Sequence, residues 1–144
     1  MLDIKKLLTK IMKSLYITVT SGNWTYRKYL DGTFEGWYST TGTMTIGSGV
    51  GSLYQSGTTS IIALPITLSS ISFANVTLYN TTYGVWAYLL NTSTTNISYR
   101  AFSAISRSSA TYHIKAYVKG TWGGVLRKPA YVNCLNCRKV VGVC

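Results

Sequence analysis

Residues 24–37 read WTYRKYLDGTFEGW, and this segment decides the fold. Its centre is Asp31-Gly32, a dipeptide that accepts positive φ at both positions and matches the twist of two flanking strands. Aromatic residues, which favour strands, lie on both sides of it. The segment therefore predicts a tight β-hairpin in which Asp31 and Gly32 form a two-residue turn.

A two-residue turn fixes the register of the two strands by counting outward from it. The count pairs Lys28 with Glu35 and Tyr26 with Trp37. The first pair joins opposite charges and the second stacks two rings, and each contributes a few tenths to about 1 kcal/mol. We therefore expect Lys28 and Glu35 to form a structural pair, and Trp24, Tyr26 and Trp37 to pack as aromatic residues.

Both faces of this predicted hairpin are aromatic, because side chains alternate along a strand. One face carries Trp24, Tyr26, Lys28, Glu35 and Trp37, and the other carries Arg27, Tyr29, Phe34 and Tyr38. The surplus suggests that the second face meets another subunit or a ligand, unless the chain covers both faces itself. With two aromatic residues from a later strand, the candidate ligand-binding residues are Arg27, Tyr29, Tyr38, Trp86 and Tyr88.

Short β-prone runs separated by turn residues continue to residue 122. The predicted strands are Tyr16–Thr20, Asn23–Leu30, Thr33–Thr40, Thr43–Ile46, Ser60–Leu64, Ser72–Leu78, Gly84–Leu90, Ile97–Phe102 and Thr111–Trp122. This spacing is typical of an all-β protein, an antiparallel β-sandwich or jelly-roll-like domain over residues 16–122. Gly47, Gly49 and Gly51 alternate with small residues and predict a flexible loop between strands.

Residues 1–15 have the pattern of a short amphipathic helix that Asp3 can cap. One apolar stripe is formed by Ile4, Leu7, Leu8, Ile11 and Leu15, with lysines opposite. Two heptads are marginal as an isolated helix, so the stripe needs a partner. The alternatives are docking on the domain itself, self-association as an oligomerisation helix, and a membrane surface.

The inventory of titratable groups argues against catalysis. Asp3, Asp31 and Glu35 are the three acidic residues, and His113 is the one histidine. General acid–base work needs two titratable groups within hydrogen-bond reach, and nearly every candidate base is missing. We therefore expect a non-enzymatic interaction domain without cofactor or metal. No apolar run is long enough to span a bilayer.

The net charge of +11 raises a polyanion as partner. Many of the bases lie near the two ends, and the excess reflects scarce acids rather than abundant bases. This distribution disfavours nucleic acid but leaves a cell-wall polymer or lipid headgroups as attractants. The alternative function is therefore a basic module that binds cell-envelope polymer or nucleic acid.

Residues 123–144 form a C-terminal extension with Cys134, Cys137 and Cys144. The spacing of the first two is CxxC, which fits half a zinc site, a redox pair or an incidental feature of a tail. A zinc site needs four ligands, and no second CxxC is present. A redox CxxC usually opens a helix, and none is evident. An extension with incidental cysteines is the favoured interpretation.

The hairpin segment resembles a signature near the end of many minor structural and tail proteins of tailed bacteriophages, roughly W-x-Y-R-K-W-x-[ND]-G-x-x-E-C-W. Residues 3–10 are similar to the short helical lead-in found there, Leu64-Pro65 to a recurrent Leu-Pro element, and residues 112–122 to the closing strand. The resemblance covers about residues 1–122. It departs at Tyr29, where the family often has Trp, and at Gly36, where it often has Cys.

The resemblance implies a virion component that is made in the host cytoplasm and assembled into the tail with other tail proteins. A homotrimeric tip or fibre-end domain that contacts the host surface is the implied form. The leading hypothesis is attachment to a host polysaccharide, through aromatic stacking and hydrogen bonds from Ser, Thr, Asn and Tyr. Recognition of this kind would be non-covalent.

Overall fold

A computed structural model describes residues 3–123 and confirms an all-β antiparallel domain preceded by one short helix. Helix α1 spans Ile4–Ser14. The strands are β1 (Tyr16–Ser21), β2 (Trp24–Tyr29), β3 (Thr33–Val50), β4 (Leu53–Ser56), β5 (Ser60–Ala63), β6 (Leu68–Tyr79), β7 (Val85–Thr92), β8 (Asn96–Ser103) and β9 (Arg107–Trp122). The predicted extension lies outside the described residues apart from Gly123, and so do Cys134, Cys137 and Cys144.

The nine strands of the described residues belong to one continuous curled sheet. We call its five-stranded part, in the order β1-β2-β3-β9-β6, the first sheet, and every neighbour in it is antiparallel. The long strands β3 and β9 lie at its centre and pair from Thr33 with Thr121 to Ile46 with Arg107. Strands β4, β5, β7 and β8 form the second sheet, where β8 pairs with β7 on one side and with β4 and β5 on the other. Strand β3 links the sheets, because its last residues pair with β4.

The sequence prediction was wrong around this link. The predicted strands 33–40 and 43–46 are parts of one strand, and Gly47 and Gly49 lie inside it rather than in a loop. The turn comes later, at Gly51, whose φ of 58° suits glycine. Strand β4 was not predicted. Glycine and serine residues such as Gly47, Ser48 and Gly49 have a weak strand preference, so this part of the 18-residue strand looks like a loop in the sequence. Pairing of β3 with β9 and β4 overrides that preference.

One hydrophobic core lies between the two sheets. Strand β8 shows how it is built, since its residues alternate between buried and half-buried positions along the whole strand. The fully buried side chains include Phe34, Ile46, Ile97, Tyr112 and Val118. The indole Nε1 of Trp24 donates to the backbone oxygen of Ala63 at 2.8 Å, which joins β2 to β5 across the core.

The predicted hairpin is present, but its register differs by one residue from the prediction. Lys28 lies opposite Phe34, and Arg27 lies opposite Glu35. The turn has three residues, 30–32, rather than two, and the amide of Gly32 donates to the oxygen of Tyr29 at 3.1 Å. Gly32 adopts a φ of 90°, as in a three-residue hairpin loop that ends in a left-handed residue.

The shift exchanges partners across the strands, because a one-residue slip changes which side chains share a face. The predicted pair of Lys28 and Glu35 is wrong, and the Lys28 Nζ instead lies 3.9 Å from the centre of the Trp122 ring. The predicted stacking of Tyr26 on Trp37 is wrong as well. Tyr26 packs on Phe34, with ring centres 5.6 Å apart.

The inner face of the hairpin consists of Trp24, Tyr26, Lys28, Phe34, Gly36 and Tyr38, and all but Lys28 and Tyr38 are buried. A Cβ added to Gly36 would lie 2.8 Å from Cζ of Phe34 and 3.1 Å from Cζ3 of Trp24. Two aromatic rings therefore cover this position, and no larger side chain fits without moving them. The outer face carries Arg27, Tyr29, Glu35 and Trp37.

Helix α1 begins as predicted, since the carboxylate of Asp3 accepts from the amides of Lys5 and Lys6 at 3.1 and 3.2 Å. Within the described part of the chain, none of its residues is buried. Its apolar stripe, including Leu7 and Ile11, is therefore not docked on the described part of the domain. The helix is also too short and too polar to cross a membrane.

Candidate ligand-binding face

The outer face of the first sheet is a regular grid of side chains, because five antiparallel strands bring their outward residues into cross-strand rows. The central row contains Thr25, Trp37, Tyr117 and Asn75. The row on one side contains Arg27, Glu35, Lys119 and Phe73, and the row on the other contains Ser39, Lys115 and Thr77. Beyond these lie Tyr16 with Tyr29, and His113 with Tyr79.

Arg27 lies between two aromatic rings of this face. Its guanidinium carbon is 4.6 Å from the centre of the Tyr16 ring and 5.2 Å from that of Trp37. Tyr16 also packs on Tyr29, with ring centres 5.2 Å apart. Cation–π contacts hold a guanidinium over a ring without removing its charge. Arg27 is therefore held in place and still able to attract an anion.

Among residues 3–123, Glu35 is the one acidic residue of the face, and its carboxylate has three partners. Its carboxylate accepts from the hydroxyl of Tyr29 at 2.7 Å and from that of Tyr117 at 3.3 Å, and Lys119 Nζ lies 3.5 Å away. The hydrogen bond from Tyr29, supported by the charge of Lys119, holds the pKa of Glu35 below its usual value against the opposing effect of burial.

The contacts with Glu35 also shift the pKa values of Tyr29 and Tyr117. The hydrogen bond to Glu35 raises the pKa of Tyr29. Burial and the charge of Glu35 raise the pKa of Tyr117. The sequence predicted that Glu35 pairs with Lys28. In the structure Glu35 pairs with Lys119, and the hydroxyls of Tyr29 and Tyr117 also donate to its carboxylate. We call these four residues the Glu35 cluster.

An open groove of about 370 Å³ runs beside this cluster. Its lining includes Trp37, Ser39, Asn75, Thr77, Lys115 and Tyr117. Trp37 is 39% exposed and packs at a tilt on Tyr117, with ring centres 5.8 Å apart. On the far side of Tyr117 lies Phe73, at 6.0 Å between ring centres. The groove thus has an aromatic wall, a polar floor and one lysine.

A second aromatic platform lies further along β9. The rings of Tyr79 and His113 are stacked, 4.7 Å apart and within 11° of parallel. The Nζ of Lys115 lies 5.5 Å from the centre of the Tyr79 ring. Lys115 therefore stands between the Trp37–Tyr117 wall and the Tyr79–His113 stack.

The five candidate ligand-binding residues do not form one site. Arg27 and Tyr29 lie on the outer face of the first sheet, but Tyr38 points to the inner face, where its ring packs 5.2 Å from that of Trp24. Trp86 and Tyr88 lie on the outer side of the second sheet, around Phe102. Their binding roles stay predictions.

Sequence reasoning missed the β9 and β6 side of this face. Strand β9 alternates from His113 through Lys115, Tyr117 and Lys119, and that alternation could have placed these four residues on one outward face. The pairing of β9 with β3, far apart in sequence, could not be predicted from it. Trp37 was assigned to packing, and the structure places it at the groove. Among residues 3–123, no three metal-ligating side chains cluster.

No protein-family model and no curated protein matches this chain. Its fold is similar to that of the N-truncated R1-type pyocin tail fiber, with a TM-score of 0.57, 13% sequence identity, and coverage of 83% of this chain and 97% of that one. It is also similar to a C-terminal portion of the P. aeruginosa R1 pyocin fiber, with a TM-score of 0.57 and 14% identity. The matched region covers 83% of this chain and 32% of that fiber portion.

Proposed function

We propose that this chain is a structural component of a phage or phage-like tail, a fibre-end domain that attaches to a polysaccharide on the host surface. The observation that carries the proposal is the fold shared with a pyocin tail fiber, which extends over 97% of that fiber fragment. The resemblance of residues 24–37 to a signature of phage tail proteins supports the same setting. The two lines are independent, because one uses the fold and the other uses local sequence.

The outer face of the first sheet suits non-covalent recognition. Exposed aromatic rings such as Trp37 and Phe73 offer flat apolar surfaces to the C–H faces of sugars. Neighbouring hydroxyl and amide groups offer hydrogen bonds that can fix a sugar's orientation. The chemistry is binding rather than catalysis, since the face's one carboxylate is taken by Tyr29, Tyr117 and Lys119.

The exposed apolar stripe of helix α1 is an argument for assembly into a homotrimer. Its stripe exposes Ile4, Leu7, Leu8, Ile11 and Leu15 to an extent unusual for a helix within one domain. Parallel copies of α1 would bury these stripes against one another and leave the lysines in water. Fibre-end domains made in the host cytoplasm would then join other tail proteins in the virion as trimers.

The experiment that tests this function joins a mass measurement to a glycan array. Light scattering of the purified chain should give a mass near three chains, and Ile11→Asp should reduce it to one chain, while Lys10→Asp on the opposite side should not. The trimer should bind bacterial surface polysaccharides on the array. A wild-type monomer in dilute solution would contradict the trimer, and an array without bound glycans would contradict attachment.

A second candidate is a basic module for cell-envelope polymer or nucleic acid. One observation favours it, namely that Arg27 and Lys115 have no acidic partner within residues 3–123. Charge-driven binding falls steeply as salt rises, because counterions are released from the polyanion. Steep salt dependence with DNA or teichoic-type polymer, together with no binding of neutral sugars, would favour this candidate over attachment to polysaccharide by stacking.

A further inference from the structure

We propose that the groove formed by Trp37, Tyr117, Lys115 and Asn75 binds an acidic sugar residue, so that the polysaccharide recognised by this domain carries anionic groups. This inference rests on the proposed attachment function and specifies the site and the ligand class. Stacking would come from the rings of Trp37 and Tyr117, and Lys115 would pair with the sugar's carboxylate or phosphate.

Lys115 is the cation that selects the acidic group. Lys119, two residues along the same strand, is paired with Glu35 at 3.5 Å, whereas no carboxylate among residues 3–123 lies within ion-pair distance of Lys115. Its side chain is exposed and lines the groove beside Tyr117. Within the described part of the chain, the groove therefore presents one positive charge without a carboxylate partner next to an aromatic wall, and an anionic sugar complements both.

The remaining lining of the groove fits sugar hydroxyls. Ser39, Asn75 and Thr77 supply two hydroxyls and one carboxamide, groups that both donate and accept hydrogen bonds. Small ligands are usually oriented by a few polar groups of this kind set in an apolar wall. The groove thus combines stacking, hydrogen bonding and charge within a single opening of about 370 Å³.

A saccharide chain has room to continue along β9. Tyr117 and His113 are four residues apart, which is about 13 Å at about 3.3 Å per residue, and Lys115 lies midway. The Tyr79–His113 stack would then meet another ring of the same polymer.

Two other occupants fit the face less well. A second copy of the chain would bring another Arg27 and Lys115 to this face, both without a carboxylate partner among residues 3–123, and like charges repel across an interface. A nucleic acid needs a row of cations for its phosphates and parallel rings for successive bases. Counting residues 3–123, the groove offers one lysine without a carboxylate partner, and the rings of Trp37 and Tyr117 are tilted by 48°.

Calorimetric titration of the full chain with four probes tests the inference. The probes are polygalacturonate for carboxylates, dextran phosphate for phosphates, neutral dextran, and poly-dT. We expect tight binding of polygalacturonate or dextran phosphate, and the better of the two identifies the anionic group. Dextran and poly-dT should bind at least about tenfold more weakly, the factor that about 1.4 kcal/mol represents.

Four variants localise the binding. Lys115→Gln should weaken binding of the preferred acidic polymer by about tenfold or more, the loss expected for a charged hydrogen bond. Lys10→Gln, which removes the same charge from α1, should leave it within about twofold, less than a typical surface contribution. Trp37→Ala should weaken binding strongly, and Trp37→Phe should restore part of it by keeping a ring.

The outcomes separate the site from the function. Equal losses for Lys115→Gln and Lys10→Gln would overturn the groove in favour of general charge attraction. Unchanged polymer binding by Lys115→Gln and Trp37→Ala would also overturn it, yet leave attachment standing through another surface, for which Trp86→Ala is the variant to measure. Preference for poly-dT would overturn it in favour of nucleic acid. An absence of binding to both acidic polymers would overturn the inference, whereas the attachment function falls only if the glycan array also shows no bound glycan.

Discussion

The inner and outer faces of the β2–β3 hairpin are built from the same kinds of residue but have opposite roles. The inner face packs Trp24, Tyr26 and Phe34 into the core, and Phe34 is 0% exposed. The outer face carries Arg27, Glu35 and Trp37 together with neighbours from β1, β9 and β6. Aromatic content therefore does not distinguish a core from a binding surface, whereas the charged residues among the aromatics do.

The two faces differ in charge because the second sheet covers the inner face and not the outer one. A charge on the inner face would be costly to bury. The inward residues of β2 and β3 are accordingly uncharged apart from Lys28, which lies near the turn. Nothing in residues 3–123 covers the outer face, so Arg27 and Lys119 remain hydrated there. The following changes test this contrast in order of their expected effect on the free energy of unfolding.

Phe34→Ala should have the largest effect. The ring is fully buried between Tyr26, Gly36 and the second sheet, so its loss leaves a cavity. We expect the free energy of unfolding to fall by about 3–5 kcal/mol. Urea denaturation followed by tryptophan fluorescence measures it. A loss below about 1 kcal/mol would mean that this face is not the core-facing side.

Gly36→Ala should destabilise the same face by overpacking. The added methyl group would meet Phe34 and Trp24 at 2.8 and 3.1 Å, which forces one of the rings to move. We expect a loss of about 1–3 kcal/mol. Gly42→Ala in the same strand is the matched control, because its Cβ would lie an ordinary 3.6 Å from Ile114. Equal losses for the two variants would contradict the crowding.

Glu35→Gln tests the charge cluster of the outer face through pH. The folded-state pKa of Glu35 is lowered, so its contribution is present above its unfolded pKa near 4.5 and is lost as pH falls through the lower folded value. We expect Glu35→Gln to cost about 1 kcal/mol at pH 7 and progressively less toward pH 3. Urea midpoints at both pH values measure this, and a difference that does not shrink in acid would contradict the cluster.

Trp37→Ala should have the smallest effect on stability. Its ring is 39% exposed and contacts Tyr117 and Arg27 on the surface, so we expect a loss below about 1 kcal/mol. The same denaturation experiment compares it directly with Phe34→Ala three residues earlier. A loss as large as that of Phe34→Ala would remove the distinction between the two faces.

Much of the fold could be predicted from local sequence. The helix cap at Asp3, the hairpin around Asp31 and Gly32, and most strands follow from turn chemistry and alternation. The register could not, because Asp31-Gly32 fits both a two-residue and a three-residue loop. Pairing of Gly32 with Trp122, whose amide donates to the Gly32 oxygen at 2.9 Å, accompanies the longer loop and comes from the far end of the domain.

The candidate site was predicted in part. Arg27 and Tyr29 were named as candidates on one of two aromatic faces, without a choice of the inward face, and the structure places both on the outer face. Lys115, Tyr117 and Asn75 were missed, because they join Trp37 through strand pairs whose partners lie far apart in the chain, such as Trp37 with Tyr117 and Asn75 with Tyr117. Contacts at such separation leave no local pattern in the sequence.

The sequence by itself determined that this protein is an antiparallel β domain with an amphipathic lead-in helix, poor in acidic groups. Those properties depend on the alternation of side chains, on turn residues and on composition, all of which act locally. Tertiary structure alone decided which aromatic face is buried and which partner neutralises Glu35. Both depend on a one-residue register and on the long pairing of β3 with β9, since a strand's two faces are chemically alike until another sheet covers one of them.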